Sequence, residues 1–168
     1  MNVRFRSLHK GLPAALLLAA LSLVLPAQAA DVNVSWVAAD GTVVATRSMD
    51  LEALDGLEHG EIVTSTPWTS GRSTFSGPPL AVLANLEGGT PNRAVLRALN
   101  DFTAEVPSED WTDHGIVLAT RIDGKVPRVY EKGPYWLIYP VDSLGKPLEQ
   151  KFVSRMIWQV DAVTFYLE

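Results

Sequence analysis

The sequence predicts an α+β fold: mixed β-sheets with short helices, in a single domain. Three observations predict it. Segments of four to eight β-branched, aromatic and aliphatic residues recur between Gly, Pro, Asn and Asp punctuation. Short helix signatures, with acidic or Pro starts and Gly stops, fall irregularly among them. No internal repeat, low-complexity tract or linker divides the chain, and 168 residues suit one core.

The first thirty residues are set apart by charge. The whole chain has 14 basic and 19 acidic residues, a net of −5. Residues 1–30 hold three bases (Arg4, Arg6 and Lys10) and no acid, so the rest carries 11 bases against 19 acids, a net of −8. Leu12 to Leu25 is an apolar run interrupted by Pro13 and Ser22, and Ala27 and Ala29 follow in the A-x-A positions. A basic start, a short apolar run and small residues at that spacing are the marks of a secretory signal peptide, residues 1–29. The run is shorter than the ~20 residues a helix needs to cross a bilayer. No Cys follows it for lipid attachment. The reading is therefore an exported, periplasmic domain spanning residues 30–168.

The body follows in order. Val32, Val34 and Trp36 alternate, Asp40-Gly41 is a turn pair, and Val43 to Ala45 return, which predicts a hairpin over 31–46. Asp50 to Leu57 reads as a short helix with Leu51 and Leu54 on one face. Glu61 to Thr66 is β-branched and strand-like, and Pro67 ends it for want of an amide donor. Trp68 to Gly77, rich in Gly, Ser and Thr, reads as an ordered loop. Pro78 or Pro79 opens a helix carried by Leu80, Leu83 and Leu86 and stopped by Gly88-Gly89.

Ala94 to Leu99 predicts a strand, Asn100-Asp101 breaks it, and Phe102 to Val106 resumes extended. Ser108-Glu109-Asp110 starts a short helix that Gly115 closes. Ile116 to Ile122 reads as one strand before the Asp123-Gly124 turn. Tyr135 to Tyr139 is a near-continuous aromatic and aliphatic run, the pattern of a strand buried on both faces. Val141 to Lys151 reads as polar loop, and Met156 to Leu167 as a final strand or strand pair.

Composition removes several function classes. The acidic body has no basic run with which to hold a phosphate backbone, so nucleic acid is not an expected partner. Absence of Cys removes disulfides, thiolate nucleophiles and Cys-ligated metals. His59 and His114 are distant in sequence, lack second ligands at regular spacing, and read as solvated loop residues. No G-x-S-x-G, G-x-G-x-x-G or P-loop sequence occurs, and Ser73 and Ser76 have no evident base. Lys125, Arg128 and Lys132 flank a turn and read as a solvated face.

What remains is an unusual placement of aromatics. Trp68 follows Pro67, Phe102 follows Asn100-Asp101, and Tyr139 precedes Pro140. Rings at strand-to-loop junctions beside short polar groups suit a flat heteroaromatic ligand, which needs stacking faces and in-plane hydrogen bonds. Asp101 and Asn100 are candidates for the amino-pyrimidine edge of such a ligand, with a local Asx turn as the alternative. Arg155 is a candidate bidentate clamp for a carbonyl or carboxylate, with an exposed strand-start charge as the alternative. Trp36, Trp111 and Trp136 read as core.

The ordered set TPWTSGRSTFSGPPLAVL, ALNDFTAEVPSEDW, GIVLATRIDGKVPRVYEKGPYWLIYP and SRMIWQVDAVTF resembles the sulfite-oxidase-like molybdopterin-binding domain over roughly residues 60–165. Enzymes of that family ligate molybdenum through a Cys on an early strand; the matching stretch here, Ile62 to Trp68, has only Ser and Thr. The family's basic phosphate loop is matched by VDSLGKPLEQK, where Asp142 and Glu149 stand beside Lys146 and Lys151.

The chain is most similar to a small exported subgroup without the metal ligand, through Thr66-Pro67-Trp68-Thr69, Asn100-Asp101-Phe102, Lys132 to Pro140, and Ser154-Arg155 to Trp158-Gln159. That resemblance implies a non-enzymatic periplasmic pterin-binding protein that needs no cofactor or metal. It implies a partner too: the periplasmic sensor domain of an inner-membrane enzyme of cyclic di-GMP signalling. The implied ligand site is Trp68, Phe102 and Tyr139 for stacking, Asn100 and Asp101 for the pyrimidine edge, and Arg155 and Gln159 for the carbonyl side. A molybdopterin-dependent oxidoreductase with a Ser or Asp oxygen as metal ligand is one alternative, and a ligand-free interaction module on the same fold is another. If the export reading holds, mass spectrometry of the secreted protein finds a chain starting at Ala30; a chain still carrying its first 29 residues contradicts it.

Overall fold

The computed structural model describes residues 30–168; the export segment read from the sequence lies outside the described residues. The described chain is α+β, with three sheets and a few short helices. Strands β1 (Val32–Val37) and β2 (Val43–Met49) form the expected hairpin, with Gly41 at positive φ in its turn. Along β1 every second side chain, Val32, Val34 and Trp36, is fully buried, as a strand with one face on the core requires. Helix α1 (Leu51–Asp55) begins at Asp50, whose carboxylate accepts from the Ala53 amide at 2.8 Å. That bond satisfies one of the amide donors left free at a helix start.

The segment read as a loop after Trp68 is in fact half strand. Strand β3 (Gly60–Ser65) turns through 66–71 and pairs with β4 (Arg72–Gly77) in a regular antiparallel ladder. Its hydroxyl-rich sequence hides the strand, because Phe75 is its one fully buried large apolar side chain. Gly77 ends β4 where the chain passes against the next sheet: a Cβ there would lie 2.2 Å from the Leu118 carbonyl oxygen. Only glycine permits that approach.

Helix α2 (Leu80–Ala84) starts after Pro79. Strands β5 (Pro91–Ala98) and β6 (Thr103–Pro107) form a second hairpin around 99–102, and α3 (Ser108–His114) ends at Gly115 in the left-handed region. The stretch read as one strand from Ile116 divides at buried Thr120. Strand β7 (Val117–Ala119) joins one sheet and β8 (Arg121–Ile122) another. Strand β9 (Trp136–Ile138) is buried at every position, as its continuous apolar run predicts.

Val141 to Lys151, read as polar loop, is mostly helical. Helices α4 (Val141–Leu144) and α5 (Lys146–Val153) are separated by Gly145. Buried Val141 and Phe152 lie near opposite ends of this stretch, too far apart to make an apolar period in the sequence. The chain ends in β10 (Ile157–Trp158) and β11 (Val160–Leu167).

The large sheet runs β2-β1-β11-β5-β6. Its middle strand is the last one, which lies parallel to β1 and antiparallel to β5. Trp36 anchors its inner face: its ring stacks on Phe165 at 5.8 Å, and its indole N–H donates to the Ala84 carbonyl at 3.0 Å. Two three-stranded sheets, β10-β9-β7 and β3-β4-β8, enclose a second apolar cluster of Ile62, Phe75, Val117, Ala119, Trp136 and Ile138.

Two carboxylates pin the small sheets. Asp55 receives the Arg121 guanidinium as a fork, 2.6 Å to each oxygen. Asp142 at the start of α4 accepts from the Ser65 hydroxyl at 2.5 Å and the Ser65 amide at 3.0 Å, and pairs with Arg72 at 3.1 Å. The Arg121 hydrogen bonds hold the Asp55 carboxyl below the ordinary carboxylate value, and the Ser65 hydroxyl does the same for Asp142. A depressed folded-state pKa adds stability that is complete above the ordinary value and is lost as pH falls through the folded one. Urea unfolding is thus expected to show these contributions intact at pH 7 and 5 and reduced below about pH 4. Asp142→Asn flattens part of that acid slope; an unchanged slope removes Asp142 from the account.

Candidate functional site

Three connections meet beside the second cluster and enclose a groove of about 390 Å³. They are the β3–β4 turn, the β5–β6 turn, and the run from the end of α5 into β10. Trp68, Asn100, Phe102, Met156, Ile157 and Trp158 line it, with Ala98, Val153 and Ser154. The volume lies within the ~300–1,000 Å³ of small-molecule sites. A second, mostly apolar depression shares Val153 and is lined by Pro67, Lys146, Glu149 and Gln150.

Trp68 is placed by its turn. The Thr66 hydroxyl accepts from the Trp68 amide at 3.2 Å and bonds the Thr69 hydroxyl at 3.0 Å. These local bonds are the Ser/Thr alternative to a backbone ladder, and they leave the indole at the tip, 37% exposed. The ring's inner side meets Trp136 edge-on at 6.1 Å. Across the groove, the Asn100 side-chain oxygen accepts from the Phe102 amide at 3.2 Å. This is the Asx turn weighed as an alternative, and it coexists with a groove position for Asn100. Phe102 is 52% exposed, a large apolar ring left beside the groove.

Trp68, Asn100 and Phe102 are thus brought together as the sequence predicts, and the other four candidates are not. Asp101 occupies the left-handed position of its turn at φ 63° and is exposed outside the groove lining. Tyr139 is fully buried: its ring stacks on Phe152 at 5.0 Å and its hydroxyl donates to Asp110 at 2.8 Å. Burial, reinforced by the Asp110 carboxylate, pushes the Tyr139 phenol well above its ordinary value. Arg155 does not line the groove; its guanidinium reaches the same Asp110 oxygen at 2.5 Å. Gln159, at φ 56°, donates its side-chain amide to the Val129 carbonyl at 2.7 Å. Its backbone oxygen accepts from Leu99 at 3.0 Å and its amide donates to Lys132 at 3.2 Å. It fastens the groove wall to two neighbouring segments.

Among the lining residues that carry no expected site role, Trp158 is the one with an aromatic ring. It stands opposite Trp136 in the β9–β10 ladder, so both rings leave the sheet on one face. The Lys132 ammonium lies 5.9 Å from its ring centre. The signal available was the position of Trp158 one residue before the Gln159 break. His59 stands 3.8 Å from Asp55, and His114 belongs to the last turn of α3 with its ring edge-on to Phe152 at 4.8 Å. His114 is therefore a helix-end packing residue rather than a loop histidine.

Each hydroxyl of the 64–66 stretch at the end of β3 has a partner. Ser65 bonds Asp142, Thr66 bonds Thr69, and Thr64 accepts from the Asp142 amide at 3.2 Å.

No protein-family model matches the chain, and no curated protein matches it.

Asp110 and Arg155 support the groove from behind, because Arg155 leads directly into Met156, Ile157 and Trp158. Asp110→Ala leaves the Tyr139 hydroxyl and the Arg155 charge without their acceptor. The expected loss is about 2–4 kcal/mol in urea unfolding, less than for a fully enclosed pair because Arg155 is partly exposed. A loss within about 0.5 kcal/mol, the level of an ordinary surface change, contradicts this role.

Proposed function

We propose that the protein is a non-enzymatic binder of a pterin, held in the groove between Trp68, Phe102 and Trp158. The observation that carries the reading is the groove's make-up: three partly exposed aromatic rings around an apolar floor, with Asn100 and Ser154 as polar groups at its edge. Rings provide faces for stacking, and a few fixed polar groups provide orientation. In this reading the Asn100 side-chain NH2 donates to an acceptor of the pyrimidine ring, and no carboxylate among the lining residues takes the role expected of Asp101. Tyr139, Arg155 and Gln159 act as positioning residues for the walls.

The sequence resemblance supplies the rest of the reading. The domain is a reduced relative of the sulfite-oxidase-like molybdopterin-binding fold, exported to the periplasm. Its partner is the sensor domain of a membrane-bound cyclic di-GMP enzyme, to which it reports pterin levels. Such reporting requires the partner to distinguish liganded from free protein, because a ligand shifts an equilibrium only through differential affinity.

Stacking contributes about 0.5–1.5 kcal/mol per ring, so loss of one face weakens binding by up to about tenfold. Titration with pterin, followed by quenching of tryptophan fluorescence, is expected to saturate. Trp68→Ala and Phe102→Ala are each expected to raise Kd several-fold to about tenfold. Asp101→Asn, outside the groove, is expected to stay within about twofold. Absence of saturable binding, or equal Kd for both ring variants and the parent, overturns the reading.

A further inference from the structure

The tryptophans behind the groove carry one unused hydrogen-bonding group. Trp136 is 2% exposed, and among the described residues its indole N–H has no acceptor. An indole nitrogen is a donor only, and leaving it buried and unpaired costs about 1–3 kcal/mol. Most buried donors in folded proteins are satisfied, so an orphan calls for a physical reason.

The neighbours of Trp136 connect it to the groove. Trp68 covers it edge-on at 6.1 Å from an exposed turn, and Trp158 is its opposite number in the ladder. Both neighbours line the groove. Phe75, at 6.1 Å, and the aliphatic side chains of the second cluster surround it otherwise and offer no acceptor. Trp68 lies between Trp136 and solvent on an exposed turn, so movement of its ring is the route by which a ligand in the groove reaches Trp136.

We propose that the Trp136 indole N–H is the buried donor that reads the acceptor edge of the bound ligand, a carbonyl oxygen or ring nitrogen, when the ligand enters beside Trp68 and Trp158. The inference rests on the groove being a pterin-class site and adds its specificity. A flat ligand with an acceptor on its leading edge relieves the unpaired donor. A ligand without one stacks on the same rings and leaves the donor unpaired. Discrimination arises because the site's own buried polar group is satisfied only by the right partner.

The chain has five tryptophans, so a nitrogen-15 correlation spectrum resolves their indole N–H groups directly. Unsubstituted pterin is the probe. The resonance that disappears in Trp136→Phe is expected to move downfield and exchange more slowly with solvent on saturation. Pterin affinity of Trp136→Phe is expected to fall about tenfold, the loss of one buried hydrogen bond. If Trp136→Phe does not fold, through-bond assignment of the parent spectrum identifies the same resonance. Shifts at Trp68 and Trp158 with Trp136 unmoved overturn the donor role and leave the pterin site standing. No shift at any indole overturns the pterin site itself.

Discussion

A single buried carboxylate oxygen holds the groove side of this molecule together. Asp110, in the first turn of α3, is 3% exposed, and one of its oxygens accepts both the Tyr139 hydroxyl and the Arg155 guanidinium. Those two donors come from the end of β9 and from the link between α5 and β10. Three elements distant in sequence are therefore fixed at one atom. The arrangement obeys the rule that buried charge must be paired and hydrogen-bonded. Its directionality also sets geometry: hydrophobic burial alone would allow the α5–β10 link to slide on the core, and a charge-assisted hydrogen bond does not.

The groove follows from that fixed point. Arg155 leads into Met156, Ile157 and Trp158, which line it, and Trp158 is then registered against Trp136 in the β9–β10 ladder. Gln159 turns the chain at positive φ so that β11 can enter the middle of the large sheet beside β1. Tyr139, Arg155 and Gln159, which the sequence suggests as ligand contacts, thus shape the walls, while Trp68, Asn100 and Phe102 on two turns provide the accessible surface. Turns can present rings to solvent at little cost to the core, since their side chains need not alternate into a sheet face.

Legibility in the sequence tracked local physics. The β1–β2 hairpin, the Asp50-capped helix and the buried β9 were readable because alternation, a capping side chain and a continuous apolar run are local signals. Strand β4 was hidden because its partners, β3 and β8, stabilise a hydroxyl-rich segment that carries little apolar pattern. Helices α4 and α5 were hidden because their buried anchors, Val141 and Phe152, are widely spaced. For the groove, a ring at a strand-to-loop junction was a sound guide on turns and a poor one at Tyr139. A strand end buried on both faces gives no indication of which way its last ring points. Trp136 was rightly read as core; only the pairing of β9 with β10, a long-range fact, reveals how near it lies to the groove.

If the aromatic groove holds a pterin, protein purified from its native host carries one. Denaturing that protein and examining the released small-molecule fraction under ultraviolet excitation asks what the groove carries in the cell. Release of a fluorescent pterin is expected. A small-molecule fraction with no pterin, from protein whose groove also fails to take up added pterin, would contradict pterin binding by the groove.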